Sequence, residues 1–331
     1  MISIKEAIQD LKKGKMLVMV DDEDRENEGD LIFAAQFSSK EKVNFTIKEA
    51  RGVLCVALNE KLAKHFDLPL MVTNNSSAHE TAFTITVDSK EASTGVSAYE
   101  RDKTIKVFVD ENTNAFDFVR PGHINPLIAK KGGVLERTGH TEGSVDLCRL
   151  ANLKEACVIC EIIKDDGEMA RRADLIDFCK KWDINMISIA DLIEYRLKHD
   201  SLIKLINSSD SNICGFKAKK LIFEDHRLIN HVVFVFGDIK KRENIKFHTS
   251  GSDFDLLTSG KFEELLKQIR FLYENGGILI FMQSEINNKI YMKNYGIGAQ
   301  ILRYFGVEEL NLLRDQNRDF VALEGFGLKI L

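Results

Sequence analysis

The chain has 331 residues, 44% hydrophobic and 29% charged, with a formal net charge of −5 at pH 7. That length favours two domains over one core, and the composition is that of an ordinary globular protein rather than a disordered one. The mild negative charge argues against a dedicated nucleic-acid binder, and the longest apolar runs are too short to span a bilayer.

In chain order, IKEAIQDLKKG places Ile4, Ala7, Ile8 and Leu11 at helical spacing and closes at Gly14. MLVMV and DLIFAAQF read as strands, followed by a helix around residues 40–51, a strand VLCVALN and a helix EKLAKHF. AFTITVD alternates like a further strand, TEGSVDLCRLANL is helical, ACVICEII is a strand, and RRADLIDFCKKW is an amphipathic helix. Alternating elements of this kind predict an α/β (α+β) domain on a mixed sheet over residues 1–200. The polar text of residues 201–215 reads as a linker. Residues 216–331 then form a second α/β domain, with VVFVFGDI and GGILIF as strands and FEELLKQIRFLYENG as a helix.

All six cysteines precede residue 216 and read as reduced thiols. Cys157 and Cys160 form a CxxC inside a strand pattern, with no second ligand pair nearby to make a zinc site. No N-terminal run has the charged start and apolar core of a signal peptide, so a cytoplasmic location is expected.

Directly after MLVMV, residues 20–30 read VDDEDRENEGD, seven acids in eleven residues. As a calcium loop starting at Asp24 the stretch fails, because the bidentate acid would fall on Ala35 and a strand leads in. Arg25 and Gly29 stand among the acids, and an arginine beside a glycine suits an oxyanion held close to the backbone. A second constellation is RTGHTEGSVDL, residues 137–147, with His140 and Thr141 at the start of a helix whose backbone amides suit a phosphate. RPGHINPL, residues 120–127, adds His123 after an Arg-Pro-Gly turn. Together these predict a site for an anionic, oxygen-rich substrate.

DDEDRENEGDLIFAA, TAFTITVD, STGVSAYERD, FVRPGHINPLIAKKGGVLERTGHTEGSVDLCRLA and CEIIKDDGEMARRADL, in that order, resemble 3,4-dihydroxy-2-butanone 4-phosphate synthase. The resemblance implies a homodimeric lyase that converts D-ribulose 5-phosphate to 3,4-dihydroxy-2-butanone 4-phosphate and formate for riboflavin biosynthesis. It implies Mg2+ or Mn2+ held by Glu26 and His140, and no redox cofactor. It further implies substrate contacts from Arg25, Glu26, Asp30, Arg137, Thr138, Gly139, His140, Thr141 and Glu161. Asp30, His123 and Glu161 are the implied catalytic residues, with Asp30 and Glu161 moving protons. Cys55 matches a family cysteine near the site, although a buried small apolar residue explains it equally well. Thr94, Gly95 and Ser97 in STGVSA look like a loop near the substrate.

From about residue 209 the chain resembles GTP cyclohydrolase II, through HVVFVFGDI, NYGIGAQILRYFGVEELNLLRDQN and LEGFGLKI. That family opens its ring with zinc on three cysteines, but KFHTSGSDFDLLTSGK keeps only His248 and no cysteine follows Cys214. Tyr291, Lys293 and QSEINN stand where the family carries an acid, an arginine and its EGRGIG pattern. The expectation is a retained fold without zinc or cyclohydrolase activity, serving dimer stability or docking to another riboflavin-pathway enzyme. A bifunctional enzyme and a catalytically silent scaffold are the alternatives.

Overall fold

The computed structural model describes residues 1–249, 253–282, 295–313, 323 and 326–331. The chain divides into two compact units, Met1–Tyr195 and Arg196–Leu331.

In the first unit α1 (Ile4–Lys12) starts on a capping box in which Ser3 and Glu6 satisfy each other's backbone donors. β1 (Leu17–Val20) and β2 (Gly29–Ala34) follow, both fully buried and paired antiparallel, so the acidic stretch is the loop of a hairpin. α2 (Lys40–Phe45) runs into one π-helical turn, Thr46–Ala50. Then come β3 (Cys55–Leu58), α3 (Glu60–His65), β4 (Val87–Ser89), α4 (Ala98–Val107), β5 (Phe118–Ile128), α5 (His140–Leu150), β6 (Ala156–Glu161), α6 (Arg172–Trp182), β7 (Asn185–Ser188) and α7 (Ile189–His199), within which the first unit ends. The sheet order is β4-β5-β3-β6-β2-β1-β7, with parallel and antiparallel neighbours mixed. One apolar cluster gathers Phe33, Val56, Phe66, Phe108 and Phe118, and the Phe66 ring meets Phe108 and Phe118 at 5.5 and 5.3 Å.

Three features depart from the sequence reading. RPGHINPL is not a turn but the middle of the eleven-residue β5. AFTITVD yields regular strand only at its end, in β4, with isolated bridges at Phe83 and Thr84. His140 is the first residue inside α5, capped by Gly139, rather than one ahead of it.

The second unit holds β8 (Ile203–Ile213), β9 (Phe216–Asp225), β10 (Asn230–Phe236), β11 (Arg242–Thr249), α8 (Asp253–Thr258), α9 (Lys261–Asn275), β12 (Gly277–Met282), α10 (Tyr295–Tyr304), β13 (Glu309–Leu312) and β14 (Lys329–Ile330). Among the described residues its sheet runs β14-β13-β11-β12-β10-β9-β8. The expected linker is therefore corrected: residues 203–213 are the edge strand β8, hairpinned onto β9. Its polar text fits an exposed edge, where side chains need not be apolar on either face.

Candidate active site

The β1–β2 loop is shaped by one of its own acids. Asp21 is buried, and its Oδ1 accepts from Glu28 N at 2.8 Å. Its Oδ2 accepts from Glu26 N at 3.1 Å and Arg25 Nη1 at 2.8 Å. Arg171 at the cap of α6 donates to the carbonyls of Glu26 (2.8 Å) and Asn27. Asp21 therefore folds the loop, and the loop presents Arg25, Glu26 and Glu28 to an open cleft.

The sheet supplies the rest of the wall. Asp30 on β2 pairs in register with Glu161 on β6, and directly opposed residues of an antiparallel ladder point to the same face. Glu161 Oε2 accepts from Val53 N at 2.8 Å. A side chain at Gly52 would lie 2.6 Å from that oxygen, so the close approach needs glycine. Cys55, Phe83, Leu127 and Ile159 form the apolar part of the lining, and Arg137, His140 and Thr141 close it from the start of α5.

His140 is the hub of the polar groups. Its Nδ1 lies 3.6 Å from Glu26 Oε2 and 3.9 Å from Asp30 Oδ1. Burial works against its charge, yet Asp30, Glu26 and Asp21 outweigh burial and raise its pKa to about 9. Burial pushes Asp30 up to about 7; His140 opposes that rise, and the charges of Glu161, Glu26 and Glu28 add to it. Burial also acts to raise Glu26, but His140 and Arg25 overcome it and hold the carboxyl at about 2. Arg25 Nη1 bonds Glu26 Oε2 at 2.7 Å. The Cys55 thiol is pushed well above its ordinary value, first by burial and then by Glu161, so it stays protonated.

A divalent ion fits this set. Among the described residues, Asp21, Glu26 and His140 are the group of potential ligands whose atoms lie within 4.8 Å of one another. Asp21 already accepts three hydrogen bonds, which leaves Glu26 and His140 as the better-disposed donors. Buried Asp30 Oδ1 and His140 Nε2 lack hydrogen-bond partners, the condition a hard cation with bound water would relieve.

The cleft thus brings together Arg25, Glu26, Asp30, Arg137, His140, Thr141 and Glu161. It does not bring in Thr138, Gly139 or His123. Gly139 is the cap of α5. His123 pairs through Nδ1 with Asp88 Oδ2 at 2.7 Å and is not among the lining residues. The sequence reading missed Glu28, Thr81, Phe83 and the buried Glu142, whose Oε2 binds Arg137 Nη1 at 2.5 Å. Glu28 left a signal as one of the acids of residues 20–30, and Glu142 as an acid in the first turn of a helix beside the phosphate motif.

Residues 5–195 match the family of 3,4-dihydroxy-2-butanone 4-phosphate synthase. A protein of that name from Campylobacter jejuni is 69% identical over 330 residues, covering 99% of this chain and 97% of its own. The chain belongs to the 3,4-dihydroxy-2-butanone 4-phosphate synthase family. RibBX, a two-domain synthase from A. baumannii, has the same architecture: 35% identity, TM-score 0.75, covering 100% of this chain and 99% of that one. A synthase solved in complex with two magnesium ions covers 60% of this chain and 98% of its own at 35% identity, with TM-score 0.58.

In this synthase-family chain, residues 284–331 also match GTP cyclohydrolase II. Residues 283–288, Tyr291 and Lys293 lie outside the described residues. His248 stands on β11 with its ring 5.1 Å from Phe281. No cysteine follows Cys214, which is exposed. Cys157 and Cys160 of the CxxC are both buried in β6, and Cys157 Sγ donates to Phe33 O.

Proposed function

We propose that the first unit converts D-ribulose 5-phosphate to 3,4-dihydroxy-2-butanone 4-phosphate and formate, a step of riboflavin biosynthesis in the cytoplasm. The observation that carries this reading is geometric: buried Asp30 on β2 stands in register with Glu161 on β6, in one cleft with Glu26 and His140. A carboxyl with a pKa of about 7 accepts and returns protons at working pH, as repeated enolisation requires.

The remaining roles follow from position. Arg137, Thr141 and the amide end of α5 suit the substrate phosphate, because an eleven-residue helix carries unpaired N–H groups at its start. Arg25 lies beside Glu26 and suits the sugar oxygens. Glu26 and His140 would hold Mg2+ or Mn2+, which supplies an electrophile that stabilises enediolate charge. Glu161 faces the same space as Asp30 and is the second proton-transfer group. The apolar side of the lining keeps bulk water from the reacting carbons.

His123 takes part only if a second copy of the chain carries its Asp88–His123 pair to the cleft. The homodimer implied by resemblance supplies such a copy. The second unit keeps the cyclohydrolase fold without its chemistry, since thiolate ligands for zinc are missing from its sequence. It serves dimer stability or docks another riboflavin-pathway enzyme.

The test is formate release from ribulose 5-phosphate with Mg2+, with and without EDTA, in wild type and Glu26→Ala. Metal-dependent formate that disappears in the variant is expected. Folded wild-type protein that makes none with either Mg2+ or Mn2+ would refute the reading.

A further inference from the structure

The loop of residues 93–97 lies between β4 and α4 and contributes no residue to the cleft lining. It is nevertheless gathered tightly around one carboxylate. Glu100, in the first turn of α4, is buried. Its Oε1 accepts from Ser93 N and Ser93 Oγ, both at 2.6 Å. Its Oε2 accepts from Gly95 N at 3.1 Å, Thr94 Oγ1 at 3.2 Å and Ser97 Oγ at 3.3 Å. Five donors on one carboxylate are far more than helix capping needs. Capping is already served by Ser97, which accepts from Glu100 N at 3.2 Å.

What the loop rests on is the pair left outside the cleft. Gly95 has φ +76°, a left-handed backbone that favours glycine. A Cβ there would collide with the Asp88 carboxylate and lie 2.7 Å from His123 Nδ1. The backbone at Gly95 is thus seated directly on the Asp88–His123 hydrogen bond. Asp88 grips His123 twice, accepting from its backbone N at 2.9 Å and meeting Nδ1 at 2.7 Å. A second tie runs from the same helix: Thr104 Oγ1 donates to Glu100 O at 3.0 Å and accepts from Ser89 N, next to Asp88, at 2.9 Å. Helix α4 therefore braces Asp88 from both sides, through the loop and through β4.

We propose that Glu100 is a positioning residue for the synthase reaction: by gathering residues 93–97 onto the Asp88–His123 pair it fixes the orientation in which His123 is presented to substrate. The proposal rests on the assignment of His123 to the reaction. The hydrogen bonds from Ser93, and after them those from Thr94, hold the Glu100 carboxyl at about 2, so the anchor is charged throughout the working range. An amide cannot replace it. Ser93 N and Gly95 N bind different carboxylate oxygens, so in either orientation of a glutamine one of them faces an NH2 group.

The test is a double-mutant cycle of Glu100→Gln and His123→Asn, read as kcat and KM for ribulose 5-phosphate with Mg2+ present. Glu100→Gln is expected to lower kcat about tenfold, a change of about 1.4 kcal/mol, with KM within about twofold of wild type. In the His123→Asn background the same substitution is expected to cost nothing further, because the residue it acts through is gone. Losses that multiply, or a Glu100→Gln enzyme with wild-type kcat, overturn the inference while leaving His123 in place. A His123→Asn enzyme with wild-type kcat overturns the His123 assignment itself and the inference with it. Should Glu100→Gln fold poorly, Ser93→Ala removes one donor only; the same loss of effect in the His123→Asn background supports the inference, and a multiplied loss overturns it.

Discussion

Replacing Glu142 by glutamine separates stability from catalysis in a way the structure makes quantitative. Glu142 is fully buried in the first turn of α5. Its Oε1 accepts from Lys130 N at 3.1 Å and its Oε2 from Arg137 Nη1 at 2.5 Å. Arg137 in turn reaches His79 O through Nε (3.2 Å) and Nη2 (3.0 Å), and Thr81 Oγ1 at 3.2 Å. A glutamine offers one accepting oxygen, so either Lys130 N or Arg137 Nη1 must face an NH2 group. Losing a charge-assisted bond costs about 1.5–3 kcal/mol and stranding a buried donor about 1–3 kcal/mol. Burial holds the Glu142 carboxyl above its ordinary range, so removing the charge returns part of that cost. A net loss of about 2–4 kcal/mol is expected for Glu142→Gln. The chain has one tryptophan, Trp182 in α6, edge-on to Phe45 at 5.0 Å, so urea unfolding followed by its fluorescence reports on the first unit. Arg137 loses its anchor in the same variant, so KM for ribulose 5-phosphate is expected to rise about tenfold while kcat stays within about twofold. A stability loss below about 0.5 kcal/mol, or a fall in kcat at constant KM, would refute this account.

In EDTA, the stability of the first unit is expected to fall as pH rises from 5 to 9. Asp30, at about 7 against an ordinary 3.8, contributes stability that is full below 3.8 and lost as pH rises through 7. His140, at about 9 against 6.5, contributes stability that is full below 6.5 and lost as pH rises through 9. The two titrate as a coupled pair whose joint loss is on the order of a few kcal/mol, and Asp30→Asn should flatten the lower half of the urea-midpoint profile. Gly29→Ala is expected to cost about 1–3 kcal/mol and to reduce activity, because its Cβ would lie 2.5 Å from Leu175 Cδ1 beside Asp30; wild-type Trp182 unfolding would contradict it. Incubation with GTP is expected to yield neither formate nor pyrophosphate, and metal analysis to find no stoichiometric zinc; turnover of GTP would restore the bifunctional alternative.

The sequence made the hairpin of the acidic stretch legible because two apolar runs flank a loop with its own acids and glycine. It made His140 and Thr141 legible because a Gly-His-Thr turn opens a strongly periodic helix. It hid β5 because Pro121 and Gly122 read as a turn, although a proline sits in a strand wherever its missing N–H has no ladder partner. It hid β8 for a related reason: an exposed edge strand carries the Ser, Asn and Asp residues of a loop. Thr81 and Phe83 were invisible because their places depend on which distant segments meet, and period or spacing carries no record of that. His123 stood out in RPGHINPL and took its catalytic role from the resemblance, but its absence from the cleft lining shows only in the folded chain.

The pairing of Asp30 with Glu161 has a consequence for how the protein becomes active. The two carboxyls come from β2 and β6, far apart in the chain and neighbours only once the sheet is ordered. Contacts between distant segments form only after the cost of closing the intervening loop has been met. A growing chain that has not yet released residue 161 can build the acidic hairpin, but it holds only one of the two carboxyls. On the roles proposed for Asp30 and Glu161, turnover therefore begins late, once the first sheet has been completed.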